Sequence, residues 1–370
     1  MKIGTVKELK KHEYRVGLTP DNALTYIKNG HQVFVQSGAG KMTGFSDDEY
    51  RLCGAVIFQT AAQVYTTCDM IVKVKEPLPE EYPYLRPGLI LFTFLHLAPN
   101  RPLTDALLAS EVKAVAYETI EDQSGSLPCL RPMSAIAGRL SIQEGAKYLE
   151  RPLGGRGILL SGVPGVERGK VVIIGGGIAG TYAAKAAVGM GAQVTLLDIN
   201  LERLAYLDDI FGASITTLYS SEANIARSLV QADLVVGAIL IPGAITPKLI
   251  RREHLKTMKQ GAVIVDIAID QGGCCETSIP TTHDDPVFIV EGIVHYCVGN
   301  MPGAVPLTST VALVNTTLPY GLMLANMGLE KACASSDGLA KGVNICKGKC
   351  VNKNVADSLG MHCMPLGEVT

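Results

Sequence analysis

The chain lacks a strong charge imbalance: 33 Lys and Arg stand against 35 Asp and Glu, for a formal net charge of −2 over 370 residues. It has no basic run and no interleaving of basic with aromatic residues, which argues against a nucleic-acid partner. No two cysteines have the C-x-x-C spacing. Cys274 adjoins Cys275, and Cys346 lies near Cys350, but neither pair has histidines at ligand spacing. The common structural zinc patterns are therefore missing, and no metal is expected. Ten cysteines scattered through so long a chain read as reduced thiols of a cytoplasmic protein. Long apolar runs are also missing. The longest, around Leu234 to Thr246, is broken by Pro242 and is too short to cross a bilayer. The first residues, MKIGTVKELKKHE, contain charges and no apolar signal core, so the expectation is a soluble, cytoplasmic protein without a membrane partner. There is no internal repeat and no low-complexity tract.

What is present is core: 47% of residues are hydrophobic, in a chain long enough for two ordinary domains. In the first third, short apolar stretches alternate with helical ones. KIGTVKE, HQVFVQSG, DMIVKVKEP, GLILFTFLHLAP and KAVAYETI read as strands. TPDNALTYIKNG carries a helix start at Thr19, Pro20 and Asp21 and a stop at Gly30. This alternation predicts a parallel sheet with helices on its faces, an α/β class. MSAIAGRLSIQEGAKYL predicts a helix leaving the first domain, and the Val-Pro-Gly turn after it predicts a small hairpin. A long apolar helix is expected from about Ser309 to Met327, kinked at Pro319.

A second α/β unit opens at KVVIIGGGIAG. Gly175, Gly177 and Gly180 form G-x-G-x-x-G directly after a strand, a helix of small residues follows, and the next strand ends in Asp198. The first glycine allows the tight turn, the second lets backbone approach a pyrophosphate, and the third lets helix and strand pack closely. Strand, glycines, helix and acidic residue in this order predict dinucleotide binding, with the pyrophosphate at the helix N-terminus. Asp198 would accept the ribose hydroxyls and repel a 2′-phosphate, favouring NAD over NADP. Arg203 nearby counts the other way, since a guanidinium can hold a phosphate.

Ligands of open parallel sheets bind beyond the carboxyl ends of the strands. Lys75, His96 and Asp270 each close an apolar run just before a proline or a glycine pair, and Arg15 lies in the loop after the first strand. Ser220 and the pair Ile239 and Leu240 stand at further strand ends. Arg15 and Lys75 suit a substrate carboxylate, His96 suits proton exchange near neutral pH, and Asp270 suits ordering water or balancing charge. Lys73 shares the strand parity of Lys75 and reads equally well as a solvated lysine. Asp266 lies deeper in its strand and reads as a hydrogen-bonded structural residue. His12, His31, His254, His283 and His295 lie in polar or mixed stretches and are not assigned chemistry. The spacing thus points to an NAD-linked dehydrogenase of a small carboxylate.

Several stretches together resemble the alanine dehydrogenase family. They are KIGTVKELKKHEYRVGLTP, GHQVFVQSGAG, VKVKEP, LFTFLHLA, AYETI, PMSAIAGRLSIQEGAKYL, SGVPGVERGKVVIIGGGIAG, VTLLDIN, DIAIDQGGCCET and VGNMPGAVPLTST. The resemblance runs from the first residues to about Asn326, and more loosely to the end. It implies NAD-dependent, reversible oxidative deamination of L-alanine to pyruvate and ammonium. It also implies two Rossmann-like, doubly wound domains, the first discontinuous: 1–128 with 307–370 for substrate and catalysis, and 129–306 for NAD. A cytoplasmic homohexamer is implied as well. By the same resemblance Arg15 and Lys75 bind the substrate carboxylate, while His96 and Asp270 are the catalytic pair. Ser134, Gly177, Ile178, Ala179, Asp198, Arg203, Ser220, Ile239, Leu240, Ile267, Ala268, Ile269, Asp270, Val298, Gly299, Asn300 and Met301 surround the cofactor.

Two positions depart from the family pattern. Ile279 stands where a basic residue often helps hold the cofactor, and Cys275 is small where a bulkier residue can occur. The nearest alternative is the NAD-binding component of a proton-translocating transhydrogenase. A saccharopine dehydrogenase-type enzyme and a catalytically silent NAD-responsive protein are more distant ones.

Overall fold

The computed structural model of the chain describes residues 1–239 and 246–369. Six strands come first: β1 (Lys2–Thr5), β2 (Gln32–Gln36), β3 (Val56–Phe58), β4 (Met70–Val72), β5 (Ile90–Thr93) and β6 (Lys113–Ala116). Then follow β7 (Lys170–Ile174), β8 (Gln193–Asp198), β9 (Ile215–Tyr219), β10 (Leu234–Gly237), β11 (Val263–Asp266), β12 (Val287–Val290) and β13 (Ile293–Tyr296). Near the end come β14 (Val343–Cys346) and β15 (Lys349–Cys350).

The chain divides into two compact units, Met1–Met133 with Gly303–Thr370, and Ser134–Pro302. Each is built on one sheet. Among the described residues the first has eight strands in the order β15-β14-β6-β5-β4-β1-β2-β3, and the second has seven in the order β12-β13-β11-β10-β7-β8-β9. β1 to β6 run parallel, and β14 pairs antiparallel with β6. In the second sheet, among the described residues, only β12 is antiparallel to its neighbour. Leaving aside the antiparallel edges, both sheets place their strands 3-2-1-4-5-6. In both, the direction of winding reverses beside the first strand, which is where such sheets open a crevice for ligands.

Local sequence explains the elements. Helix Pro20–Lys28 starts with Pro20 in its first turn, and the Thr19 hydroxyl accepts from the Asn22 N–H. It stops before Gly30, whose φ of +83° few other residues tolerate. β10 and β11 are buried along their whole length, as sheets covered on both faces require. Val64, Ile71, Leu89, Leu91, Leu95 and Leu107 pack in one core of the first unit. Val172, Leu197, Leu229, Val235 and Ile264 pack in one of the second. Each such side chain contributes about 1.5–3 kcal/mol when fully buried.

Two local expectations are corrected. The long helix spans Pro306–Ser335 and runs through Pro319; its backbone is non-helical at Gly328 instead, with φ 73° and ψ 167°. The hairpin expected around Val-Pro-Gly is reduced to one antiparallel bridge, Val163 with Val166. The tail contributes β14 and β15, short strands whose pattern is too brief to register without their partner β6. Among the described residues no helix is long and apolar enough to cross a membrane.

Candidate active site

In the first unit, the polar residues singled out above lie past the carboxyl ends of three adjacent strands. Arg15 follows β1, Lys75 lies three residues beyond β4, and His96 lies three beyond β5. Arg15 is 3% exposed. Its Nε donates to Glu13 Oε1 at 2.6 Å, its Nη2 to Glu13 Oε2 at 2.5 Å, and its Nη1 to the Met133 thioether at 2.9 Å. This bidentate pairing fixes the guanidinium plane. Burial pushes the Glu13 pKa up, but the hydrogen bonds and charge of Arg15, with Lys75 behind them, hold it below the ordinary carboxylate value.

Lys75 is half-buried, and among the described residues its ammonium has no hydrogen-bonded or ion-paired partner. Burial lowers its pKa, and the neighbouring charges of Arg15 and Lys10 lower it further. A partly desolvated cation beside a second cation is an attractive seat for a carboxylate, whose charge would relieve both. Lys73, which strand parity could not distinguish from Lys75, is fully buried and not solvated. Its Nζ lies 2.9 Å from Glu81 Oε1 and 3.2 Å from Glu8 Oε2. The parity was right and the surroundings were not legible: Lys73 still lies within the packed layer, while Lys75 has left it.

His96 differs from the apolar run that leads to it. The run before it is core, with Leu91, Phe92, Phe94 and Leu95 buried. The imidazole itself is not in dry surroundings, since its side chain is 45% exposed. Its backbone has turned into the left-handed region, φ +50°. Two carboxylates approach this turn: Glu118 at the main-chain amides of Leu95 and His96, and Glu76 at 3.7 Å from Nδ1. Sequence reasoning passed over Glu13, Glu76 and Glu118. Their signal was position alone, two residues before Arg15, next to Lys75, and just past β6.

In the second unit the structure separates the glycines by what each tolerates. Gly175 has φ +104°, and a Cβ there would lie 2.6 Å from the Ala238 carbonyl. At Gly180 a Cβ would lie 1.8 Å from the Gly175 carbonyl. At Gly177, the N-cap of helix Ile178–Gly189, a Cβ would meet no protein atom within 4 Å. Two glycines thus serve protein packing, while the third leaves open space before a helix N-terminus headed by Ile178 and Ala179. That cradle fits a pyrophosphate, because amide N–H groups and the helix dipole point into it.

Asp198, at the end of β8, accepts the Gly176 N–H at 2.6 Å and the Asn200 N–H at 2.8 Å. Arg203 folds back on the same loop, Nε to the Gly176 carbonyl and Nη2 to Thr181 Oγ1, both at 2.6 Å. Its guanidinium is therefore engaged in bracing the glycine turn. Ser220, just past β9, donates its N–H to the Asp198 carbonyl at 2.9 Å, and Ile239 follows β10 next to Ala238. Leu240 lies outside the described residues. Ser134 lies in helix Arg131–Tyr148, whose Gly138 lets the Ala179 carbonyl approach closely.

Past β11 a 3-10 turn, Ile267–Gln271, carries Asp270 exposed while Ala268 and Ile269 are buried. Asp266 is the structural residue expected. It accepts from the N–H groups of Ala268, Cys274 and Cys275 and from the Ser278 hydroxyl, at 2.6–3.2 Å. Gly299 is pressed against Asp270, whose Oδ1 would lie 2.9 Å from a Cβ there. Val298 and Met301 beside it are buried, and Asn300 has φ +57°. Cys275 is buried and touches Thr277 Oγ1 at 3.1 Å, whereas Ile279 is 62% exposed. Arg15, Lys75 and His96 belong to the first unit, and Asp270 and the cofactor residues to the second.

The family description "Alanine dehydrogenase/PNT, N-terminal domain" matches residues 4–137, and "Alanine dehydrogenase/PNT, C-terminal domain" matches residues 141–353. An alanine dehydrogenase of Geobacillus stearothermophilus is 53% identical over 370 residues, covering 100% of this chain and 98% of that one. The chain belongs to the alanine dehydrogenase/PNT family. A solved L-alanine dehydrogenase superposes with a TM-score of 0.95 at 51% identity, covering 97% of this chain and 99% of its own. A transhydrogenase from Sinorhizobium meliloti has a TM-score of 0.82 at 23% identity, covering 95% and 99%, and shares the fold alone. As a member of the family the chain is an amino-acid dehydrogenase, an oxidoreductase that uses a nicotinamide cofactor.

Proposed function

We propose that this chain is an NAD-dependent L-alanine dehydrogenase, catalysing L-alanine + NAD+ + H2O ⇌ pyruvate + ammonium + NADH + H+. The observation that carries the reading is the end-to-end likeness to alanine dehydrogenases, at 53% identity over the whole chain. The polar residues past β1, β4 and β5 accord with it.

In this reading the first unit holds the substrate and the second holds the cofactor. Lys75, whose ammonium has no partner among the described residues, meets the substrate carboxylate, and Arg15 supplies the fixed planar donor beside it. Gly177, the first turn of helix Ile178–Gly189 and Asp198 hold the dinucleotide, and Ser134, Ile239, Ile267 to Asp270 and Val298 to Met301 complete its surroundings. NAD bound there would supply the hydride acceptor for the α carbon of alanine. His96 takes a proton from the substrate ammonium and passes it to solvent, and the free imidazole then takes a proton from the water that adds to the iminium carbon. It returns that proton to the amino nitrogen as the carbinolamine collapses to pyruvate and ammonia. Asp270 orders that water and balances the cationic intermediate. Acid–base help of this kind is typically worth ~100- to 10,000-fold in rate.

NAD is preferred over NADP because Asp198 presents a carboxylate where a 2′-phosphate would lie, and Arg203 is engaged with the glycine turn. The resemblance further supports a cytoplasmic homohexamer, and ten free cysteines accord with a reducing compartment.

A panel of amino acids and cofactors followed by NADH absorbance tests the proposal. L-Alanine should reduce NAD well, and L-glutamate, L-lysine and lactate far less. The absence of NADH formation with alanine between about pH 7 and about pH 10 would overturn it. NADP should be a poor substitute, and Asp198→Ala should narrow the gap. Equal rates with both cofactors in the unmutated enzyme would refute the role given to Asp198.

A further inference from the structure

His96 stands on a turn that neighbouring strands hold from both sides. β5 pairs with β6 through Phe92 with Val115 and Thr93 with Ala116, which brings the 3-10 turn Tyr117–Thr119 alongside. From that turn Glu118 Oε1 accepts the N–H of Leu95 at 3.0 Å and of His96 at 2.6 Å, and Oε2 accepts the Leu95 N–H at 3.2 Å. A histidine at φ +50° is in a conformation that L-residues adopt only when something holds them there, and Glu118 is that constraint.

On the other side, β4 pairs with β5 through Val72 and Phe92. The ladder continues past both strands, with the Phe94 N–H on the Val74 carbonyl and the Thr93 hydroxyl on the Lys75 carbonyl. Glu76 therefore comes level with His96. It is 8% exposed. Its Oε1 accepts from Lys10 Nζ at 2.5 Å. Its Oε2 is buried, has no hydrogen bond among the described residues, and lies 3.7 Å from His96 Nδ1. That separation is an ion-pair contact rather than a hydrogen bond. Catalytic contacts of this length commonly tighten when substrate binds. A buried carboxylate oxygen needs a donor, and Nδ1–H is the donor that faces it.

We propose that Glu76 is the positioning residue of His96: it holds the imidazole in the Nδ1–H tautomer and so presents Nε2 as the base, on a turn that Glu118 keeps in place. The inference rests on His96 being the proton carrier of the reaction. The charge of Glu76 also stabilises the imidazolium that forms when Nε2 takes a proton. The charged groups around the pair are Glu76 itself, Glu118 at the His96 backbone, and Lys10 and Lys75 beside Glu76.

The test is steady-state alanine oxidation by the full-length enzyme. Glu76→Gln should lower kcat about 10-fold or more while leaving KM for alanine within about twofold. Glu76→Asp, which keeps the charge and the acceptor oxygens, should recover most of that loss. Partial misfolding would lower turnover equally in any background, so the comparison with His96→Ala separates it from positioning. In a His96→Ala background Glu76→Gln should have no further effect. An unchanged kcat in Glu76→Gln, or an equal loss in the His96→Ala background, would overturn the proposal. An active His96→Ala enzyme would overturn the underlying reading of His96 and this proposal with it. An inactive His96→Ala beside a normal Glu76→Gln would overturn this proposal alone.

Discussion

After β1 the chain runs through a long charged loop carrying Glu8, Lys10, Glu13 and Arg15 before helix Pro20–Lys28 begins. After β7 it reaches helix Ile178–Gly189 through Gly175, Gly176 and Gly177. The two sheets have the same strand order, so these loops occupy equivalent places in two equivalent folds. The first unit arms that place with side chains, the second with bare backbone. Each choice matches its proposed ligand. A small amino acid offers a carboxylate and an amine that charged side chains can meet. A pyrophosphate is better met by several N–H groups at a helix end, which no side chain may obstruct. Even the charged residues obey the difference. Glu13 holds the Arg15 fork, whereas Asp198 and Arg203 both brace Gly176, one on its N–H and one on its carbonyl.

The contrast can be broken most severely at His96. His96→Ala should fold, bind NADH as the wild type does, and lose ~100- to 10,000-fold in turnover. Turnover close to that of the wild type would show that the first unit does not supply the proton carrier. Gly177→Ala asks the converse question of the second unit. The added methyl meets no protein atom within 4 Å, so thermal stability should change by no more than about 1 kcal/mol. The same methyl fills the cradle, so the KM for NAD should rise about 10-fold or more while KM for alanine holds. Undiminished NADH binding by this variant would refute the glycine cradle.

The smallest effect concerns the support beneath Lys75. Lys73 is already matched by Glu81, so Glu8 is a second buried carboxylate around one ammonium. Burial, against the pull of Lys73, raises its pKa from 4.5 to about 7. A carboxyl with a raised folded-state pKa contributes stability that is full below its ordinary value of 4.5 and lost as pH rises through about 7. Glu8→Gln carries no such proton. Its Tm should therefore gain on the wild type by a few degrees between about pH 5 and about pH 8. Parallel Tm curves across that range would show that Glu8 does not titrate there.

How much of this could be read from the chain depends on how local the cause is. The alternation of apolar strands and capped helices announced two α/β sheets, because each element is specified by its own few residues. β14 and β15 escaped notice because a strand of two to four residues is defined by the edge it joins. Pro319 looked like the break in the long helix, yet Gly328 is where the backbone leaves helical geometry. Lys73 and Lys75 point the same way along the chain and were indistinguishable until the structure showed which one the carboxylates enclose.

The sequence by itself determined the strand, glycine turn, helix and terminal Asp198 of the second unit, because each of those is a requirement on neighbouring backbone. It also marked Arg15, Lys75, His96 and Asp270 as polar residues where apolar runs end. Only the tertiary structure decided what those side chains face. The fork of Arg15 closes on Glu13, Lys73 is enclosed by Glu8 and Glu81, and His96 is seated between Glu76 and Glu118. Most of those carboxylates come from loops of other strands, tens of residues away in the chain, and only the sheet order brings them to the same edge.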